Sequence, residues 1–88
     1  YSLDDETSIG AIQAICETGY RVPEDVGVVG FDDMPACEFM TPKLSTVEVP
    51  KHYMGETAAM RAIQLIEGVS AMPLKIEVVA KLVRRKSV

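Results

Sequence analysis

The residues best placed for chemistry are acids in two short runs, Asp4-Asp5 near the start of the chain and Asp32-Asp33 after Gly30-Phe31. In an open α/β sheet, ligands gather where parallel strands end and their loops diverge, so a carboxylate at such an end faces a crevice. Its two acceptor oxygens suit paired hydroxyl donors, such as neighbouring groups on a sugar ring. Asp4 joins the same rim if Tyr1-Ser2-Leu3 is the tail of an earlier strand. The same aspartates also suit the capping of helices and turns, because a surface Asp readily accepts from nearby backbone N–H groups. Both readings stay open on residue types alone. A third gathers Asp4, Asp5, Asp32 and Asp33 into an acidic pocket for Mg²⁺, as in a phosphoacceptor signalling or hydrolytic domain. Such a pocket also needs a lysine, and the nearest, Lys43 and Lys51, lie in crossover segments.

Other chemistry finds fewer residues. His52 is the single histidine, expected on the surface near a helix start, and no signature joins it to Cys37 as a nucleophile–base pair. Cys16 falls on an apolar helical stripe and is expected in the core. Two Cys and one His without paired spacing do not make a soft-metal site. No glycine-rich phosphate loop is present, and the sequence calls for no cofactor.

The elements that would position the acids follow from pattern. Asp4 to Ser8 form a polar, acid-rich helix opening, and Ile9, Ile12, Ile15 and Cys16 recur at helical spacing before Gly19. The spacing predicts a helix over about residues 6–18. Val26 to Phe31 (VGVVGF) is nearly all apolar, as expected of a strand covered on both faces between helices, and it stops at Asp32-Asp33. Leu44 to Val49 favours an extended crossover. Pro50 opens a second helix with Met54, Ala58, Ala62, Leu65 and Ile66 on one face, closed by Gly68. Ile76, Val78, Ala80 and Leu82 then alternate with charged residues, a period-2 strand with a bend expected near Ala80. The order is that of an α/β chain.

Composition narrows the class. With 48% hydrophobic and 25% charged residues, 88 residues describe one small globular unit rather than a disordered segment. No apolar run approaches the roughly 20 residues needed to cross a bilayer, so no membrane partner is expected. Tyr1 is not followed by a basic start and apolar run of the signal-peptide kind. Two cysteines are too few for a disulfide scaffold, which points to reduced thiols and the cytoplasm. Residues 1–42 carry nine acids against one base, a net of −8, whereas residues 43–88 carry eight bases and four acids, a net of +4. A polyanion is repelled by the first half, so the chain is not itself a nucleic-acid binder. The basic end, Lys81 with Arg84, Arg85 and Lys86, reads as charge protecting an edge strand rather than as a nucleic-acid patch.

Several motifs together resemble one family. Leu3-Asp4-Asp5-Glu6-Thr7-Ser8-Ile9-Gly10-Ala11 is similar to the Ala-Asn-Asp-x-x-Ala-x-Gly-Ala segment of lactose-repressor/galactose-repressor (LacI/GalR) transcription regulators. Gly19 through Asp33 resembles that family's most recognisable run, Thr41-Pro42-Lys43-Leu44-Ser45-Thr46-Val47 its crossover, and Pro50-Lys51 with Met54-Gly55 its next helix. The terminal strand ending in Arg84-Arg85 resembles its closing strand.

The resemblance spans essentially the whole chain. It implies part of a type I periplasmic-binding-protein-like fold, a three-layer parallel-sheet architecture in which two lobes close over a sugar or nucleobase. Residues 1–88 would be the C-terminal portion of the effector-binding and dimerisation domain, with the N-terminal subdomain and a helix-turn-helix head lying outside them. Operator DNA would be bound only through that head. By motif position Asp32 would contact the effector, and Asp4 would occupy the place usually held by Asn. Exchanging an amide for a carboxylate removes two donors and bears on the type of effector. Ile9, Gln13, Phe39 and Met40 would lie at a homodimer interface. The resemblance implies a non-enzymatic sensor; a sugar-binding receptor of a transport system with the same fold is the alternative.

Overall fold

The computed structural model describes residues 1–88, ordered as helix α1 (Asp5–Glu17), a 3₁₀ turn (Pro35–Glu38), strand β1 (Thr46–Glu48), helix α2 (Lys51–Ile66) and strand β2 (Lys81–Val83). The chain divides into two compact units, one of Tyr1–Val49 with Ala80–Val88 and one of Pro50–Val79.

In the first unit, α1 begins where the sequence pattern placed it, because Asp4 is an extended N-cap whose Oδ1 accepts the Thr7 N–H at 2.8 Å. It ends in a left-handed glycine: Gly19 (φ +90°) donates to the Cys16 carbonyl, and Tyr20 donates to that of Ile15. Both bonds occupy the last orphan carbonyls of the helix. One face of α1 turns Ile12 into a core shared with Val22, Val28, Cys37 and Leu44, and Ile15, Met34 and Met40 pack against it. Cys16, expected in that core, is exposed. It shares the side of the buried Ile12, four positions on, but lies in the last turn of α1, where it lines an open groove with Ile9, Gln13 and Met40.

The expected strand at Val26–Phe31 is realised only in part. Val29 forms an isolated parallel bridge with Ser45. Around it, Ser2 N–H donates to the Val29 carbonyl at 3.1 Å and Gly30 N–H to the Ser45 carbonyl at 2.9 Å. The segment therefore runs between the Tyr1–Leu3 stub and residues 45–47. Alternate residues Val28 and Gly30 are buried, while Val26 and Gly27 are exposed. One face is thus covered, not the two that an unbroken apolar run suggests.

Strand β1 pairs antiparallel with β2 in the register Thr46↔Val83, Val47↔Leu82 and Glu48↔Lys81. Lys81 and Glu48 also form an ion pair at 3.2 Å. The strand expected from Ile76 begins only at Lys81. Its first half has no partner to pair with, because the chain beyond Val49 turns into α2 at Pro50.

In the second unit, α2 starts at Pro50 (φ −74°) and closes at Gly68 (φ +70°), where Val69 N–H returns to the Gln64 carbonyl. The apolar face read from the sequence exists, but no residue of α2 is buried. Met54, Ala58 and Leu65 instead line a groove of about 460 Å³ with Leu74, Ile76 and Val78. Arg61 hydrogen-bonds to the Met72 carbonyl and to Gln64, tying the following segment to the helix.

Candidate functional site

The loop that follows the extended segment is the most unusual piece of backbone in the first unit. Asp32 has φ +116° and Asp33 φ +56°, two consecutive non-glycine residues in a region that L side chains rarely adopt. Such conformations cost on the order of 1–3 kcal/mol each and persist only where the surroundings over-determine them. Here the surroundings do so from four sides. Asp32 N–H donates to the Val47 carbonyl at 2.8 Å, and Asp33 N–H to Thr46 Oγ1 at 3.3 Å. Met34 N–H donates to Asp5 Oδ2 at 2.6 Å. Arg85 reaches Asp33 Oδ1 with one guanidinium nitrogen at 2.9 Å.

Asp5 is the centre of this arrangement. Its side chain is fully buried, 0% exposed, and its second oxygen accepts from the Thr46 hydroxyl at 2.5 Å. A carboxylate out of water is tolerable only when its lone pairs are occupied by donors. Cys37 lies against it: burial pushes this thiol up to about 11, and the hydrogen bond to Asp5 adds to the shift. The packing leaves no room for a side chain at position 30. A Cβ on Gly30 would collide with Asp5 Oδ1 and come within 3.0 Å of Leu44 Cδ2 and Ser8 Oγ.

Arg85 closes the other side. With 12% of its side chain exposed, it donates to Asp33, to Glu38 Oε1 at 2.8 Å and to the Leu44 carbonyl at 2.9 Å. Burial works against its charge, yet the two carboxylates raise its pKa above the usual value. Arg85 in turn holds the Glu38 carboxyl below its ordinary range. Ser87, also fully buried, donates to the Val28 carbonyl at 2.6 Å and accepts the Ser45 N–H at 2.7 Å.

The expected site residues fall in two places. Asp4 and Asp32 flank one backbone hydrogen bond, Asp5 N–H to the Phe31 carbonyl at 3.1 Å, so they share one end of the extended segments. Asp4 serves as the helix cap, and the Thr7 backbone N–H lowers its pKa from 3.8. Ile9, Gln13 and Met40 line a shallow groove of about 450 Å³ with Ile12, Cys16 and Thr41. Phe39, next in sequence to Met40, is outside that lining and 87% exposed. No three His, Cys, Asp or Glu side chains converge as cation ligands. The acids of the Mg²⁺ reading are held apart in their roles: Asp5 by Met34 and Thr46, Asp33 by Arg85, Asp4 by Thr7.

Residue type alone gives Thr46 and Arg85 no part in the site and offers Asp5 only as a cation ligand, not as a buried strut. Arg85 in particular was grouped with the exposed basic end. Its signal is periodicity: Val83 and Arg85 are less exposed than Leu82 and Arg84 as the chain leaves β2.

The profile of the periplasmic binding protein-like domain family matches residues 1–88, and the chain belongs to that family. Within it the chain matches the effector-binding part of LacI/GalR-type regulators. It is 41% identical over 76 residues to the HTH-type transcriptional regulator KdgR of Bacillus subtilis (strain 168), covering 86% of this chain and 22% of KdgR. It is 40% identical over 84 residues to the HTH-type transcriptional repressor PurR of Yersinia enterocolitica, covering 96% of this chain and 25% of PurR. Among solved structures, the transcriptional regulator CelR–cellobiose complex superposes with a TM-score of 0.91 at 32% identity, over 96% of this chain and 26% of CelR. The chain thus spans about a quarter of the length of the relatives it matches. No helix is long and apolar enough to cross a membrane.

Proposed function

We propose that this chain is the effector-sensing and dimerising portion of a cytoplasmic DNA-binding transcription regulator, with no catalytic activity of its own. The observation that carries the reading is the positive-φ Asp32-Asp33 loop, braced from below and set beside the start of α1. Strain maintained at such expense marks a place where a side chain must be presented in one direction. Asp32 is the effector-contacting carboxylate, and Asp4 flanks it at the same end. Two acids favour a ligand rich in hydroxyl donors, and the CelR neighbour, solved with cellobiose, supports a sugar. Operator DNA is bound by a helix-turn-helix head elsewhere in the longer protein, as the names of KdgR and PurR support. Catalysis is disfavoured because the Cys37 thiol is buried with its pKa pushed up to about 11, and His52 stands exposed in an i,i+4 pair with Glu56.

The α1 groove with Ile9, Gln13 and Met40, continued by the exposed Phe39, is the homodimer face; apolar surface of this kind is covered by a like partner. The unburied apolar side of α2 is a face for another part of the longer protein. Calorimetric titration of the full-length regulator with cellobiose, ribose and lactose tests the sensing assignment. Binding that is abolished in Asp32→Ala supports it, and binding unchanged in that variant refutes it. Met40→Asp tests the interface: the regulator becomes monomeric in sedimentation, or the face is wrongly assigned.

A further inference from the structure

Asp5 and Thr46 are fully buried, so neither is open to a ligand, yet both bond to the loop that carries Asp32. Thr46 Oγ1 stands between them. Its hydroxyl donates to Asp5 Oδ1 at 2.5 Å, and its oxygen accepts the Asp33 N–H at 3.3 Å. Asp5 holds the Met34 N–H with its other oxygen at 2.6 Å. The two N–H groups immediately following Asp32 are therefore gripped by one buried carboxylate–hydroxyl pair. Thr46 belongs to β1 and Asp5 opens α1, so the grip also ties both elements to the loop.

We propose that Asp5 and Thr46 are positioning residues for effector binding: by fixing the N–H groups of Asp33 and Met34 they hold Asp32 in its positive-φ conformation and thereby set effector affinity. The proposal rests on the assignment of Asp32 as the effector carboxylate. Without the grip, Asp32 relaxes toward ordinary negative φ and its carboxylate turns with the backbone. The binding-competent state is then only partly populated, and apparent affinity falls by that fraction.

The test uses Thr46→Val and Thr46→Ser in the full-length regulator. Valine keeps the β-branched shape but has no hydroxyl; serine restores it. Amide hydrogen exchange without ligand is read at residues 32–34 and along α1. Sugar affinity is read with cellobiose, ribose and lactose, and operator affinity without sugar. In Thr46→Val, exchange at Asp33 and Met34 quickens about tenfold while the middle of α1 is unchanged. Sugar affinity falls about five- to tenfold with operator affinity retained, and Thr46→Ser restores both readouts. A purely structural role would lower the melting temperature and leave sugar affinity alone. Unchanged exchange at Asp33 and Met34, or quickened exchange with undiminished sugar affinity, overturns the proposal. Wild-type protein that ignores every sugar while exchange still quickens in Thr46→Val refutes the sugar-effector assignment and supports the positioning of the loop.

Discussion

Gly30 offers the sharpest test of how the acidic loop is built. A methyl group there meets three neighbours at once, Asp5 Oδ1, Leu44 Cδ2 and Ser8 Oγ, and all three residues are fully buried. None is the free end of a flexible surface side chain, so relief requires the core to move. Overpacking of this kind costs about 1–3 kcal/mol. Moving Asp5 also weakens its bonds to Met34 N–H at 2.6 Å and Thr46 Oγ1 at 2.5 Å, adding about 1 kcal/mol or more. Gly30→Ala is therefore expected to destabilise the chain by about 2–4 kcal/mol. For a chain of 88 residues that is a fall of at least about 10 °C in melting temperature. The control is Gly10→Ala in α1, where a Cβ meets nothing within 4 Å. There the better helix former is expected to gain about 0.5–1 kcal/mol. Thermal and urea unfolding followed by circular dichroism compares the two. A Gly30→Ala midpoint equal to wild type would show that the pocket around Asp5 has room to spare and that Asp5 does not brace the loop.

Three further outcomes are expected. Arg85→Lys and Arg85→Met should each destabilise the chain by about 2–4 kcal/mol, since neither replaces the three-way contact to Asp33, Glu38 and the Leu44 carbonyl; a neutral effect in urea unfolding would contradict the clamp. Asp4, Asp25 and Glu38 all have lowered pKa values, through bonds from Thr7, Arg21 and Arg85 respectively. Their contribution is complete above the ordinary values of 3.8 and 4.5 and is lost as pH falls through the depressed folded values, so stability should decline on acidification below about pH 4.5 and not between pH 5 and 8. A flat stability profile down to pH 3 would contradict this. Cys37, buried and shifted up to about 11, should resist alkylation at pH 8 until the chain unfolds; rapid native-state labelling by mass spectrometry would show the core to be open there.

Reading the sequence succeeded where the signal is local and failed where it depends on partners. Both helices were legible from their ends: Asp4 and Gly19 bound α1, and Pro50 and Gly68 bound α2, because caps act on backbone within a few residues. The central VGVVGF run was legible as extended but not in its pairing, since rungs depend on Ser2, Ser45 and Ser87 far away in the chain. Ile76 to Ala80 alternate as a strand should, yet have no edge to join, and periodicity cannot report a missing neighbour. At the site, the end of an apolar run points to the Asp32-Asp33 pair, and only the family resemblance picks out Asp32. Asp5, adjacent to Asp4 and chemically identical, has a different role entirely. One is a solvated cap and the other a buried strut, a difference set by Gly30, Cys37 and Thr46 packing around only one of them.

The register of β1 and β2 has a practical corollary for protein engineering. Glu48 sits opposite Lys81, so the chain departs toward Pro50 and comes back at Ala80 through adjacent backbones. Residues 50–79 are thus an insertion between paired backbones, and a tight Asn-Gly reverse turn is a means of joining Val49 directly to Ala80. Every bond around the acidic loop is made within residues 1–49 and 80–88, so such a shortened polypeptide is a candidate minimal scaffold on which that loop alone can be varied.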